Sequence, residues 1–241
     1  MTTEDTDRKV GRKPSVPWWL ETVLLVCFAL GLAALIKATL LQAFYIPSES
    51  MEPGLVTNDR ILVQKVSYWG SSEPERGDVV VFADPGGWLG SHQHLGPPNL
   101  LAEALSVIGL YPTGGHLVKR VIGVAGDRIA CCDDEGRLLV NGVPLDEADY
   151  IREQRRCNGP MTGDCDWTVE EVPEGTVFVM GDNRSQSADS SVHLCAASRP
   201  NCDESEAFVP VDHVVGKVFA LVWPLDRISL VKRPAVHDAA R

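Results

Sequence analysis

The sequence is short of positive charge. It carries 22 Lys and Arg against 33 Asp and Glu, a net charge of -11, and no stretch gathers basic residues into a stripe. A nucleic-acid binder needs such a footprint, so that class is excluded. Metal-binding patterns are missing as well: the chain has no C-x2-C pair and no matched His pair, which argues against zinc, and no cofactor is expected. Beyond residue 40, sustained helical periodicity is absent except at about 99–110. A second long apolar run is absent too, since Lys217 interrupts Val214–Val222 and Pro224 follows it. What remains is an ordinary globular composition, 44% hydrophobic and 23% charged. That excludes a largely disordered chain, and 241 residues suffice for one domain with a substantial core plus appendages.

One apolar run runs from about Trp18 to Phe44, with no charge between Thr22 and Ile36. Trp18 and Trp19 suit an interfacial aromatic belt, and Glu21 and Lys37 lie near the ends, where long side chains reach headgroups. Roughly 20 apolar residues span a bilayer core as a helix. The expectation is one transmembrane anchor at 18–40 behind a cytoplasmic tail at 1–17. A cleavable leader is the competing reading; against it stand the long polar start and an apolar run exceeding the usual ~7–15 residues. Arg8, Lys9, Arg12 and Lys13 precede the span and hold that end in the cytoplasm, which puts the rest of the chain outside.

The cysteines agree with an exterior location. Cys27 falls in the span, and an even number remain: Cys131, Cys132, Cys157, Cys165, Cys195 and Cys202. An oxidising space favours disulfides, with Cys157–Cys165 and Cys195–Cys202 each closing a short loop. Cys131-Cys132 is harder, because a vicinal bridge is strained.

The exterior part, 41–231, reads as mainly β. Arg60–Val66, Asp78–Phe82, Leu117–Val124, Arg128–Ala130, Thr176–Met180 and Val214–Trp223 are strand-like. Arg137–Val140, Asn141-Gly142 and Val143-Pro144 form a hairpin signal with a type I′ turn. Two stretches are excursions: a Gly/Pro-rich loop at 85–116 and a cysteine-containing β subdomain at 131–173. Residues 232–241 read as a short polar tail.

Pro47-Ser48-Glu49-Ser50-Met51-Glu52-Pro53 follows the apolar run directly. Two prolines stiffen it, so it can hold a hydroxyl in place; alone, it reads first as an ordinary turn. A nucleophilic serine needs a base. His92, His94, His116, His193, His213 and His237 are scattered, and a Ser-His-Asp triad stays open because triads are spatial. Lys119 is the other candidate. It lies in the otherwise apolar strand Leu117–Gly123, where lost hydration lowers an amine's pKa toward the range of a general base. The alternative is an exposed strand lysine. The polar turn Gly181–Ser190 follows a buried strand and packs Asp182, Arg184, Ser187 and Asp189 closely.

Four motifs occur in order behind the anchor: Pro-Ser-x-Ser-Met-x-Pro, Arg-Gly-Asp-Val-Val-Val-Phe, Lys-Arg-Val-Ile-Gly-x-x-Gly-Asp and Gly-Asp-Asn-Arg-x-x-Ser-x-Asp-Ser. Together they resemble the type I signal peptidases over about Ala38 to Pro224. That family is membrane-anchored, cleaves signal peptides from exported preproteins and uses a Ser-Lys dyad. The resemblance implies a signal-peptidase-like β catalytic domain with Ser50 as nucleophile and Lys119 as general base. It implies that Ser48 helps stabilise the oxyanion, where each aimed donor is worth about 3–4 kcal/mol. Ser187 would orient the lysine amine, Asp182 would pair with Arg120, and Asp189 with Arg76. Ile46, Pro47, Met51, Leu55, Leu117 and Val118 match or adjoin the lining of shallow pockets for small residues. The implied partners are signal peptides emerging from the secretion machinery and the lipid bilayer, at the bacterial cytoplasmic membrane. Two departures stand out: Ser191 occupies the place of a usual Arg, and Ala125 the place of a usual Pro. A self-cleaving repressor-type hydrolase would need a site in its own chain. A non-catalytic binding module would be expected to lack Ser50, Lys119 or Ser187.

Overall fold

The computed structural model describes residues 17–70, 72–89, 115–152, 166–195 and 202–239. The chain divides into two compact units, Met1–Ile36 and Lys37–Arg241.

The first unit carries most of helix α1, Trp18–Thr39. Its Leu- and Ala-rich run favours helix, and Thr22 Oγ1 donates to the Trp18 carbonyl at 3.0 Å. At 22 residues it is roughly 33 Å long. Its apolar side chains are exposed all round, Phe28 at 70% and Leu30 at 66%. By length and composition it can cross a membrane.

The second unit is built on antiparallel sheets. Its strands are β1 (Leu41–Tyr45), β2 (Arg60–Gln64), β3 (Val79–Ala83), β4 (His116–Val124), β5 (Ile129–Cys131), β6 (Leu139–Val140), β7 (Val143–Pro144), β8 (Trp167–Val169), β9 (Thr176–Met180), β10 (Val209–Pro210), β11 (Val214–Trp223) and β12 (Ser229–Leu230). The larger sheet runs β1-β2-β11-β3-β4-β9-β10, with β12 beside β11. The smaller runs β7-β6-β5-β8. The fold is mainly β, as the strand-like runs predict.

Strand β3 shows how the large sheet is buried. Val79 and Val81 pack with Ile46, Met51, Leu55, Ile61 and Val63. Val80 and Phe82 pack with Leu117, Val121, Val177 and Val179. Successive side chains point to opposite faces, so both faces of β3 are covered, which is why this run is continuously apolar. The expected hairpin is present: Val140 pairs with Val143, and Asn141 and Gly142 take φ of 54° and 80°. Both central residues of a type I′ turn need positive φ.

Four features depart from expectation. Leu41–Tyr45 is a strand paired with β2, although it continues the apolar run of the helix. Val66–Tyr68 turns into a 3-10 helix, so β2 stops at Gln64. Residues 232–239 are more than a polar tail: Ala235–Asp238 form a 3-10 turn that buries His237 at 1% exposure. Cys131 and Cys132 are bonded to each other despite their adjacency. The Cys195–Cys202 bridge is formed, after the short helix α2 (Ser190–His193). Cys157–Cys165 and the periodic stretch at 99–110 lie outside the described residues.

Candidate active site

The loop between β1 and β2 carries Ser48 and Ser50. It is anchored at its base, where Ile46 N–H donates to the Asp59 carbonyl and Asn58 N–H to the Ile46 carbonyl, each at 2.9 Å. Ile46, Met51 and Leu55, expected near the substrate, are sunk into the core beneath the loop. Pro47 is exposed and Val118 half-buried; Leu117 is buried against the opposite face of β4 from Val118.

Strand β4 brings Lys119 to the loop. Its Nζ lies 2.7 Å from Ser50 Oγ, and both residues are buried, at 4% and 6% exposure. Burial pushes the amine down to about 8, against an opposing pull from Asp189 and Asp182. Ser48 Oγ lies 3.3 Å from Ser50 Oγ, with its residue exposed beside it. No histidine is among the partners of Ser50 Oγ in the described residues; His193 stacks on Trp88 with ring centroids 4.5 Å apart.

The polar turn after β9 backs this pair. Asn183 N–H donates to the Ser50 carbonyl and Asn183 Nδ2 to the Glu49 carbonyl, both at 3.0 Å. Gly181 is pressed against the Ser50 carbonyl and Ser187 Oγ so closely that a Cβ there would overlap both. Ser187 is fully buried, but its Oγ makes no hydrogen bond. The expected contact from Ser187 to the lysine amine is therefore not made.

Beside Lys119, Arg120 reaches Asp182 through two contacts of 2.7 and 2.6 Å and donates to the Gly77 carbonyl at 2.9 Å. The other expected pair is different. Arg76 binds Asp127, not Asp189, with Nε and Nη2 each 2.5 Å from a carboxylate oxygen. Asp189 has no need of it: it accepts from Gly181 N–H at 2.9 Å, Ser191 N–H at 3.1 Å and Ser191 Oγ at 2.7 Å. Ser191, standing where the resembled family usually has Arg, is thus itself a partner of Asp189. Among the described residues no group of three His, Cys, Asp or Glu is placed to hold a metal ion.

A family model described as signal peptidase, peptidase S26, matches residues 19–223. The chain belongs to this family. A probable signal peptidase I of Mycobacterium leprae (strain TN) is 37% identical over 241 residues, spanning 90% of this chain and 79% of its own. Signal peptidase I of Mycobacterium tuberculosis (strain ATCC 25618 / H37Rv) is 38% identical over 229 residues, spanning 88% and 75%. A probable signal peptidase I-2 of Synechocystis sp. is 31% identical over 240 residues, spanning 98% and 89%. The enzyme's activity is that of a type I signal peptidase, a hydrolase acting on signal peptides.

In this signal peptidase, sequence reasoning overlooked a buried polar group behind the site. Arg184 binds Glu147 through contacts of 2.7 and 2.8 Å, with both residues at 4% exposure. Tyr150 donates to Glu147 at 2.5 Å, lies 2.9 Å from His237 Nε2, and carries the Arg120 guanidinium 4.4 Å above its ring. Arg184 sits in a motif that could have prompted the question. Glu147, Tyr150 and His237 stand singly in polar stretches and offer no signal.

Proposed function

We propose that this signal peptidase cleaves preproteins by a Ser50–Lys119 dyad while anchored to the membrane by α1. The observation that carries the reading is the buried 2.7 Å contact between Lys119 Nζ and Ser50 Oγ. An amine held near 8 is substantially neutral in mildly alkaline solution and can accept the serine proton.

In the proposed reaction, Ser50 Oγ attacks the scissile carbonyl as its proton passes to Lys119 Nζ. The oxyanion is met by Ser50 N–H and the Ser48 hydroxyl. Collapse of the tetrahedral intermediate breaks the C–N bond, and the Lys119 ammonium returns the proton to the departing amine. This leaves the signal peptide as an ester on Ser50 and frees the mature protein with a new N-terminus. A water molecule then attacks the ester, giving its proton to neutral Lys119. The second collapse returns that proton to Ser50 Oγ and releases the signal peptide as a carboxylic acid.

The basic leader supports a topology with residues 1–17 in the cytoplasm and the β domain on the outer face of the bacterial cytoplasmic membrane. There it would meet preproteins leaving the secretion machinery and cleave after small residues in Ala-x-Ala sites. Confinement of enzyme and substrate to one surface raises their effective concentration. The test is cleavage of one preprotein by purified wild type, Ser50→Ala, Lys119→Ala and Lys119→Arg, with the product N-terminus sequenced. Only the wild type should cut efficiently, after the Ala-x-Ala site. Arg fails as a base because it does not deprotonate in this range. Substantial cleavage by Lys119→Ala, near the wild-type rate, would overturn the dyad.

A further inference from the structure

The segment from Glu147 to Arg152 lies outside the four motifs, yet it holds both halves of the site. Toward the serine loop, Ile151 forms a bridge with Pro53, and Arg152 Nη1 donates to Glu52 at 2.6 Å. Toward the polar turn, Arg152 N–H donates to the Asp182 carbonyl at 3.0 Å, and Glu147 binds Arg184. Arg184 in turn donates from Nε to the Gly181 carbonyl at 3.0 Å. Gly181 and Asn183 are the residues in contact with the Ser50 carbonyl. A continuous path of hydrogen bonds and packing therefore runs from Glu147 through Arg184 and the turn to the backbone of the nucleophile.

Glu147 is well made for this role. Its carboxylate is buried, which would raise its pKa, but Arg184 beside it outweighs the burial and keeps it ionised. Its two oxygens meet the two terminal nitrogens of Arg184, a planar match that fixes direction as well as distance. The segment also closes its own turn, with the N–H groups of Tyr150 and Ile151 both donating to the Glu147 carbonyl at 3.1 Å.

We propose that Glu147 is a positioning residue for signal-peptide cleavage, setting Ser50 against Lys119 by holding the Gly181–Ser187 turn through Arg184. This rests on the Ser50–Lys119 reading. Glu147 touches neither reacting group, so its loss acts through the turn, on the attack geometry. A small displacement of reacting atoms costs rate, and a remote mutation can lower it by up to roughly a hundredfold.

The experiment uses the full chain in detergent and compares wild type, Glu147→Gln, Arg184→Gln, Glu147→Gln/Arg184→Gln and Ser50→Ala on one preprotein. Thermal unfolding reports whether each is folded. For Glu147→Gln, kcat should fall roughly 10- to 100-fold with KM within about twofold of wild type. The double variant should be no slower than the slower single, because both act on one path. If Glu147→Gln does not fold, the double variant, which leaves no buried charge without a partner, is read in its place. A folded Glu147→Gln, or a folded double variant, with kcat within about twofold of wild type overturns the proposal. So does a loss confined to KM, or singles whose losses multiply in the double. Ser50→Ala at wild-type rate would instead overturn the dyad, whatever the Glu147 variants do.

Discussion

Lys119 and Arg120 are neighbours on one strand, equally buried at 4% and 5% exposure, and they have opposite fates. Arg120 is surrounded by compensation: both oxygens of Asp182, the Gly77 carbonyl and the face of Tyr150. Among the described residues, Lys119 has one neutral hydroxyl as its hydrogen-bond partner and no carboxylate. Burial with a counter-charge produces a fixed cation that organises its surroundings. Burial with only the more distant pull of Asp189 and Asp182 lowers the amine to about 8. Two basic residues side by side thus meet different surroundings: Arg120 has the carboxylate of Asp182, and Lys119 has the hydroxyl of Ser50.

The comparison can be broken most directly at Lys119. Lys119→Ala should lower kcat/KM by roughly a hundred- to ten-thousandfold while leaving the fold intact, as read by cleavage assay and circular dichroism. On the proposed dyad, kcat/KM of the wild type should rise with pH through a midpoint of about 8, because Lys119 would act in its neutral form. A profile flat between pH 6 and 9 would remove the contrast between the two residues.

The opposite arm is tested at Asp182. Asp182→Ala leaves Arg120 buried without its carboxylate and should cost roughly 3–5 kcal/mol of stability by chemical denaturation. A loss under about 1 kcal/mol would mean that Arg120 is not held by this pair.

His237 offers a smaller effect at the far side of the same group. Burial lowers its pKa from 6.5 to about 4; Glu147 opposes, and Arg120, Arg184 and Arg233 add to the lowering. Between those values the unfolded chain binds more protons than the folded one. Stability present above about 6.5 is therefore lost as the pH falls toward 4, on the order of 3 kcal/mol. His237→Gln should flatten denaturation midpoints across that window. Arg76→Ala should do least, about 1.5 kcal/mol, because Asp127 keeps Val124 N–H and Asn141 Nδ2 as donors.

Much of the molecule was legible because its signals are local. The continuous run in β3 reports burial on two faces, and Asn141-Gly142 reports a turn needing two positive φ values. Ser50 and Lys119 were legible through the four motifs in order, since a serine loop or a strand lysine alone reads as an ordinary turn or an exposed side chain. Strand β1 was hidden, since Leu41–Tyr45 differs little in composition from the helix before it. The partner of Arg76 was misassigned because Asp189 fills itself with donors only two and eight residues away. Glu147 and His237 were invisible because their partners lie 37 and 87 residues off in sequence. Nothing about a lone Glu or His in a polar stretch announces a buried role.

Asn183 has a further consequence. One residue, through its side chain and its own backbone, holds the carbonyls of Glu49 and Ser50, so the Ser50 peptide unit is tied down by the fold itself. The entropy of ordering that loop is spent once, when the chain folds, and not again at each encounter with a peptide. A peptide then needs only to present its bond, and a brief visit can be productive.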